Sequence, residues 1–568
     1  MPNEWACNLM KIKPLAPVQI PRWSKRVVSE LGGRDPLGLS RVSALVTDYL
    51  LTGIITTTHR ARYYSFYPWA LWHIEHFEES KNHGTFTHAF RRREAFLALS
   101  TLYLNPGSSV VGSDAVRTKL DTYNATDDID TDFKVLPSNP MGGYGQYYGG
   151  SLYELGLTTR NDEGIDLCAP GRAAELAMAF HEIVEESPFC KDNYYKQRTF
   201  PMKVLNKSAK DFSLDVLGEP VAKREKKLLQ SLFFGWGKEH QSETDILRKQ
   251  TLTLILDVVK EYNSAGVKPP IGDAEKYLVR GPYYYEIQWM DGKKSVSYKV
   301  PPLLNACHGL WKQFCVHQYL TQGMEHLLAA VLESTITKPG GLPMEVVCEV
   351  LTGSEFLSKI GSVFGGVSKP QVFLKHLQIS DIPSQSGCSE AQKKLGSDSE
   401  LNEELLLNLA DGTPQGNAAV AIAIFAVLFA KWRAYSDEYS QLIHNKAGPN
   451  LCAAAFLSSL DEWLDPGLSW QVALQRLIEP FILQQHDRVM YEKGRLESCW
   501  FHRVDGRILK DQDYSPAFRS SRHWNAVMIM RDLGLVRIGN NGGISITSEG
   551  QETLSRLLKD HGAKKTTG

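Results

Sequence analysis

Arg519, Arg522 and Asn525 follow one another at three-residue intervals, with Arg531 and Arg537 shortly after. Side chains three apart share a helix face, so the first three form a row if the stretch is helical. His523, two residues before Asn525, falls off that row. Guanidinium and carboxamide groups read base edges in bidentate fashion, and guanidinium also holds phosphate. The chemistry implied is recognition of duplex DNA. A second collection lies nearer the start of the chain: His59, Arg60, Arg62, Tyr63, Tyr64, Tyr67, Trp69 and Trp72, followed by Arg91, Arg92 and Arg93. Cations interleaved with aromatics suit phosphates and unpaired bases. The competing reading is a helix with its aromatics in the core and its arginines turned toward Glu75, Glu78 and Glu79.

Bond-making chemistry has weaker support. His73 and His76 share a face near Glu75 and Glu79, but no HExxH motif accompanies them, and HEIVEE at His181 lacks a second histidine. His308, His317 and His326 recur every nine residues, which sets each successive pair on opposite sides of a helix. Asp273, Glu286 and Lys293 or Lys294 could serve a divergent metal-dependent nuclease, although Gln288 stands where its lysine belongs. The glycine-rich MGGYGQYYGGS lacks the Lys-Ser/Thr of a phosphate-binding loop. No catalytic residue, metal or cofactor is assigned. His486, Arg488, Lys493 and Arg495 would extend a basic surface.

A pattern that occurs twice is what positions the DNA-reading residues. Ser151–Phe180 and Val527–Leu558 each run from a helix ending in Leu-Gly-Leu through a strand, a Gly/Asn/Asp turn and a second strand to a helix. Aligning Leu155–Leu157 with Leu533–Leu535 brings Gly164, Ile165 and Leu167 onto Gly543, Ile544 and Ile546, with one extra residue in the second turn, and Gly171 onto Gly550. These segments, about 140–180 and 500–560, resemble winged-helix domains. The resemblance implies that the helix before the second Leu-Gly-Leu enters the major groove, with Arg537 near the wing backbone. The first copy departs from that pattern. Its helix carries Tyr144, Gln146, Tyr147 and Tyr148 with almost no positive charge. Gly142, Gly143, Gly145 and Gly149 would each weaken it by about 1 kcal/mol if interior, so a dimerisation or scaffold role is expected there. Arg60–Trp72 also resembles uncharacterised bacterial proteins linked to antiviral (phage) defence.

The bulk properties frame this reading. A chain of 568 residues exceeds one hydrophobic core. Its 63 Lys plus Arg balance 64 Asp plus Glu, so any phosphate-binding surface must be a local patch. Nine scattered cysteines without a CxxC pair suit a reducing compartment. The 13-residue apolar run Ala418–Ala430 is short for a membrane span and suits a buried helix capped by Asn417. No signal peptide is evident, and a cytoplasmic location is expected. The expected fold is mainly α with small β elements. A helical domain (1–110), a winged-helix-like module (111–190), a helical domain with a hairpin at 283–300 (191–379), a flexible linker (380–399), a second helical domain (400–498) and a second module (499–562) would follow in order. The expected function is a DNA-binding subunit of a larger assembly, with double-stranded DNA and protein partners or a second copy as ligands and no membrane. Its rival is a non-enzymatic adaptor in which both wings pack on protein, as in subunits that accompany SMC-like or nuclease partners.

Overall fold

Helices dominate the chain, and its strands are short and paired two or three at a time. The computed structural model describes residues 35–77, 83–162, 164–237, 241–290, 294–336, 338–364, 368–371, 402–435, 438–448, 450–460, 467–494 and 499–563. The expected linker at 380–399 lies outside them.

The 31-residue helix Asn305–Thr335 is buried along nearly its whole length. It packs against the helix Pro414–Tyr435, which is apolar on every side between Ala418 and Ala430 and therefore needs enclosure. Pro414–Trp432 is long and apolar enough to cross a bilayer, yet 89% of its apolar window is buried inside the protein. The two helices approach closely because Gly323 has no side chain: a Cβ there would sit 2.4 Å from Phe425 Cε1. The cap is Thr413 rather than Asn417. Thr413 Oγ1 accepts from the Gly416 amide at 3.0 Å, whereas Asn417 lies inside the first turn and meets His326 Nδ1 at 2.9 Å. Near the other end Lys431 donates to both oxygens of the buried Glu403 at 2.8 and 2.7 Å.

The hairpin is shorter than expected. Tyr283–Tyr285 belong to a wide helical segment, Glu275–Tyr285, and the strand starts only at Ile287, after Glu286 turns the backbone to φ 53°. Tertiary contacts override the strand propensity of three tyrosines. Tyr283 packs beside Trp311 and His523, while the Tyr284 and Tyr285 hydroxyls donate to Glu403 at 2.5 and 2.9 Å.

The repeat is present in three dimensions, with a register that the sequence misplaces. Thr158 pairs with Cys168 and Val536 with Ile546, each across a five-residue turn, 161–165 and 539–543. No residue is inserted. Gly164 therefore corresponds to Gly542, both at φ 78°, not to Gly543, and Gly171 corresponds to Glu549, not Gly550. The helix ends match too. Gly156 and Gly534, at φ 69° and 76°, let Leu157 and Leu535 donate back to Leu152 and Met530 at 2.8 and 2.9 Å.

Glu94 is a buried acid in the aromatic N-terminal region. It accepts from Tyr67 Oη at 2.8 Å and from the Gly143 and Tyr144 amides at 2.9 and 3.3 Å. Burial pushes its carboxyl up from 4.5 to about 7. Because folding raises this value, the stability it contributes is full below 4.5 and is lost as pH rises through about 7. Glu94→Gln, which mimics the protonated form, should flatten the fall in denaturation midpoint between pH 4.5 and about 7. An unchanged pH profile would contradict this.

Candidate nucleic-acid interface

The helix expected to read DNA begins later than its sequence suggests. It spans His523–Asp532, with Ser521 Oγ accepting from the His523 amide at 3.3 Å, so Arg519 and Arg522 precede it and no Arg519–Arg522–Asn525 row forms. Arg522 sits at φ 66°, a left-handed conformation that costs a non-glycine residue roughly 1–2 kcal/mol. Its side chain holds it there, donating to Ile54 O at 3.0 Å and pairing with Asp48 at 2.6 Å. Arg519 pairs with the buried Glu325 and donates to Ser40 Oγ at 2.6 Å. Asn525, 2% exposed, donates to Thr56 O at 2.9 Å. Arg531 leans on Asp532 at 2.7 Å with a third of its side chain exposed, and Arg537 faces solvent on its strand.

The N-terminal arginines also turn inward. Arg60 spans two carboxylates, with Nη2 2.5 Å from Asp215 and Nε 2.9 Å from Asp532. Arg62 is wholly buried against Glu225, 3.2 Å away, over the Phe180 ring. Arg93 donates to Ala89 O at 2.8 Å and meets His73 Nδ1 at 2.9 Å; burial and Arg93 push His73 down to about 2 and keep it neutral. Arg91 pairs with Asp132 at 3.3 Å, and Arg92 donates to Tyr195 O at 2.9 Å. His308, His317 and His326 meet Pro282 O, Leu39 O and Asn417 separately. Among the described residues no three His, Cys, Asp or Glu side chains come together as a metal site would require.

What these residues build is a brace around the segment Leu51–Arg62. Glu154 ends the helix of the first repeat and accepts from the Gly53 amide at 3.1 Å; its counterpart Asp532 in the second accepts from the Ala61 amide, also at 3.1 Å. The two copies grip one segment from both ends, and Arg522 and Asn525 hold the carbonyls between. Arg522→Ala should therefore lower folding stability by about 2 kcal/mol through lost charged hydrogen bonds, read as a shift in denaturation midpoint.

Beside the brace lies a cleft of about 440 Å³ lined by Arg60, Ser109, Asp215, Lys226, Arg531 and Asp532 among others. Two helices beside it expose lysines, none of which lines it. The helix Met202–Phe212 exposes Lys203, Lys207 and Lys210, which fall within an arc of about 60° at 3.6 residues per turn. The helix Lys223–Phe234 exposes Lys223 and Lys227. Arg62 bridges the near ends of the two helices, donating to Asp211 O at 2.8 Å while pairing with Glu225. No described residue forms a hydrogen bond or salt bridge with these five lysines, although Lys210 acts electrostatically on Asp211, whereas Arg224 beside them is neutralised by Glu182. Asp215 and Glu219, both exposed, are the acids of the connecting turns, and the half-buried Asp211 ends the first helix.

Sequence reasoning missed these lysines, although residues 191–210 hold six Lys and Arg against Asp192 alone. Comparison with known families, characterised proteins and solved structures gives no match.

Proposed function

We propose that the protein is a non-enzymatic subunit of a cytoplasmic assembly that binds duplex DNA along the Lys203–Lys207–Lys210 and Lys223–Lys227 rows. The observation that carries this reading is five exposed lysines outside any ion pair among the described residues, on a chain whose charge is balanced overall. Lysines four apart stand about 6 Å apart along a helix, a spacing comparable to that of successive phosphates on one strand. The two repeats are taken as winged-helix halves that serve the fold from inside. Binding of labelled duplex across a salt series tests the proposal. Five phosphate contacts predict a log–log slope near about −4.5; a slope near zero, or no binding at low salt, would overturn it.

A second reading, a protein adaptor, draws on the inward packing of both repeats around Leu51–Arg62. It predicts that binding depends on a protein partner and that the five lysines are dispensable.

A further inference from the structure

We propose that the cleft lined by Arg60, Asp215, Lys226, Arg531 and Asp532 takes an unpaired nucleotide at the end of a DNA strand; this rests on the duplex-binding reading above. The Met202–Phe212 helix runs into the turn Leu214–Gly218, which supplies Leu214, Asp215, Leu217 and Gly218 to the cleft wall, and the Lys223–Phe234 helix supplies Lys226. At about 440 Å³ the cleft falls within the range of small-ligand sites, roughly 300–1,000 Å³.

Its lining holds groups for a base and for its phosphate. Asp215 and Asp532 face it beside Arg60, Lys226 and Arg531; Arg60 pairs with both carboxylates and Lys226 with Glu549, which leaves the one-third-exposed Arg531 at the wall for the phosphate. Asp215 is a fixed acceptor: Arg60 Nη2 holds one oxygen at 2.5 Å and Asn105 Nδ2 the other at 3.1 Å, while 40% of its side chain remains exposed. A carboxylate so placed accepts from the exocyclic amine of cytosine, whereas thymine presents a carbonyl oxygen at that edge. Ser109, also in the lining, is 2.7 Å from His59 Nε2. The His59 ring lies 5.4 Å from that of Trp524, which is 37% exposed and one helical turn before Met528 of the cleft wall. Burial and Arg60 push His59 down and keep it neutral, so the pair offers an uncharged stacking surface.

The test measures fluorescence anisotropy of the full chain with three otherwise identical duplexes: blunt, with one unpaired terminal cytosine, and with one unpaired terminal thymine. The cytosine-ended duplex should bind about tenfold more tightly than the blunt one, as stacking of a single base supports, and more tightly than the thymine-ended one. Ser109→Trp, which fills the opening from an exposed position, should bring the ratio of cytosine-ended to blunt affinity to about one. Asp215→Asn should abolish the difference between cytosine and thymine, with a melting curve confirming that the Arg60 network survives. Equal affinities for all three duplexes would overturn the inference and leave the duplex reading standing. A preference that persists in Ser109→Trp would place the base elsewhere and also overturn it. No binding to any duplex would overturn both.

Discussion

Glu225→Ala should cost about 3–5 kcal/mol of folding stability, a large share of the roughly 5–15 kcal/mol that holds a typical domain together. Glu225 and Arg62 are both 0% exposed at the side chain. Glu225 also accepts from Ser65 Oγ, and Arg62 donates to Ser213 O at 2.5 Å. Removing the carboxylate strands a guanidinium inside the protein, where burial already pulls Arg62 below its ordinary value. The double variant Arg62→Met/Glu225→Leu strands no charge and should cost far less than Glu225→Ala. Chemical denaturation midpoints of the three proteins decide the matter. A cost below about 1 kcal/mol for Glu225→Ala would show that this pair does not anchor the junction between the two lysine helices.

Reversing charge at Lys203, Lys207 and Lys210 should be the largest single blow to DNA binding. Each phosphate contact contributes about 0.9 to the log–log salt slope, so losing three costs two to three orders of magnitude in affinity at about 0.1 M salt even before repulsion is added. All three side chains point to solvent from one helix face, so the substitutions should leave the melting temperature nearly unchanged. Unaltered affinity in a folded triple variant would remove the lysine rows as the binding surface.

Much of the architecture is legible in the chain. The Leu-Gly-Leu ends, the paired strands and the enclosed apolar helix after Thr413 follow from local patterns that one sequence carries. The repeat register is not so legible, because Gly164 aligns as readily with Gly543 as with Gly542 and only the ladder pairs distinguish them. The start of the His523–Asp532 helix was within reach. Ser520 and Ser521 are capping residue types, and their hydroxyls accept from Arg522 and His523 amides. The fate of the arginines was out of reach. Arg60 meets Asp532 and Arg519 meets Glu325 across hundreds of residues, and no spacing rule announces such a partner. Exposed cations without carboxylates are the better guide to a polyanion site. At Lys203, Lys207 and Lys210 the helical spacing was visible, but the chain's overall neutrality hid it.

The most direct test compares duplex DNA binding, across a salt series, by wild type, Lys203→Glu/Lys207→Glu/Lys210→Glu, and Arg519→Ala/Arg522→Ala/Asn525→Ala. Wild type should bind with a steep salt dependence. The lysine variant should lose binding at an unchanged melting temperature, and the arginine–asparagine variant should melt earlier yet bind normally while folded. Loss of binding in a folded arginine–asparagine variant, with the lysine variant unaffected, would contradict the account and return the DNA to the helix before Leu533.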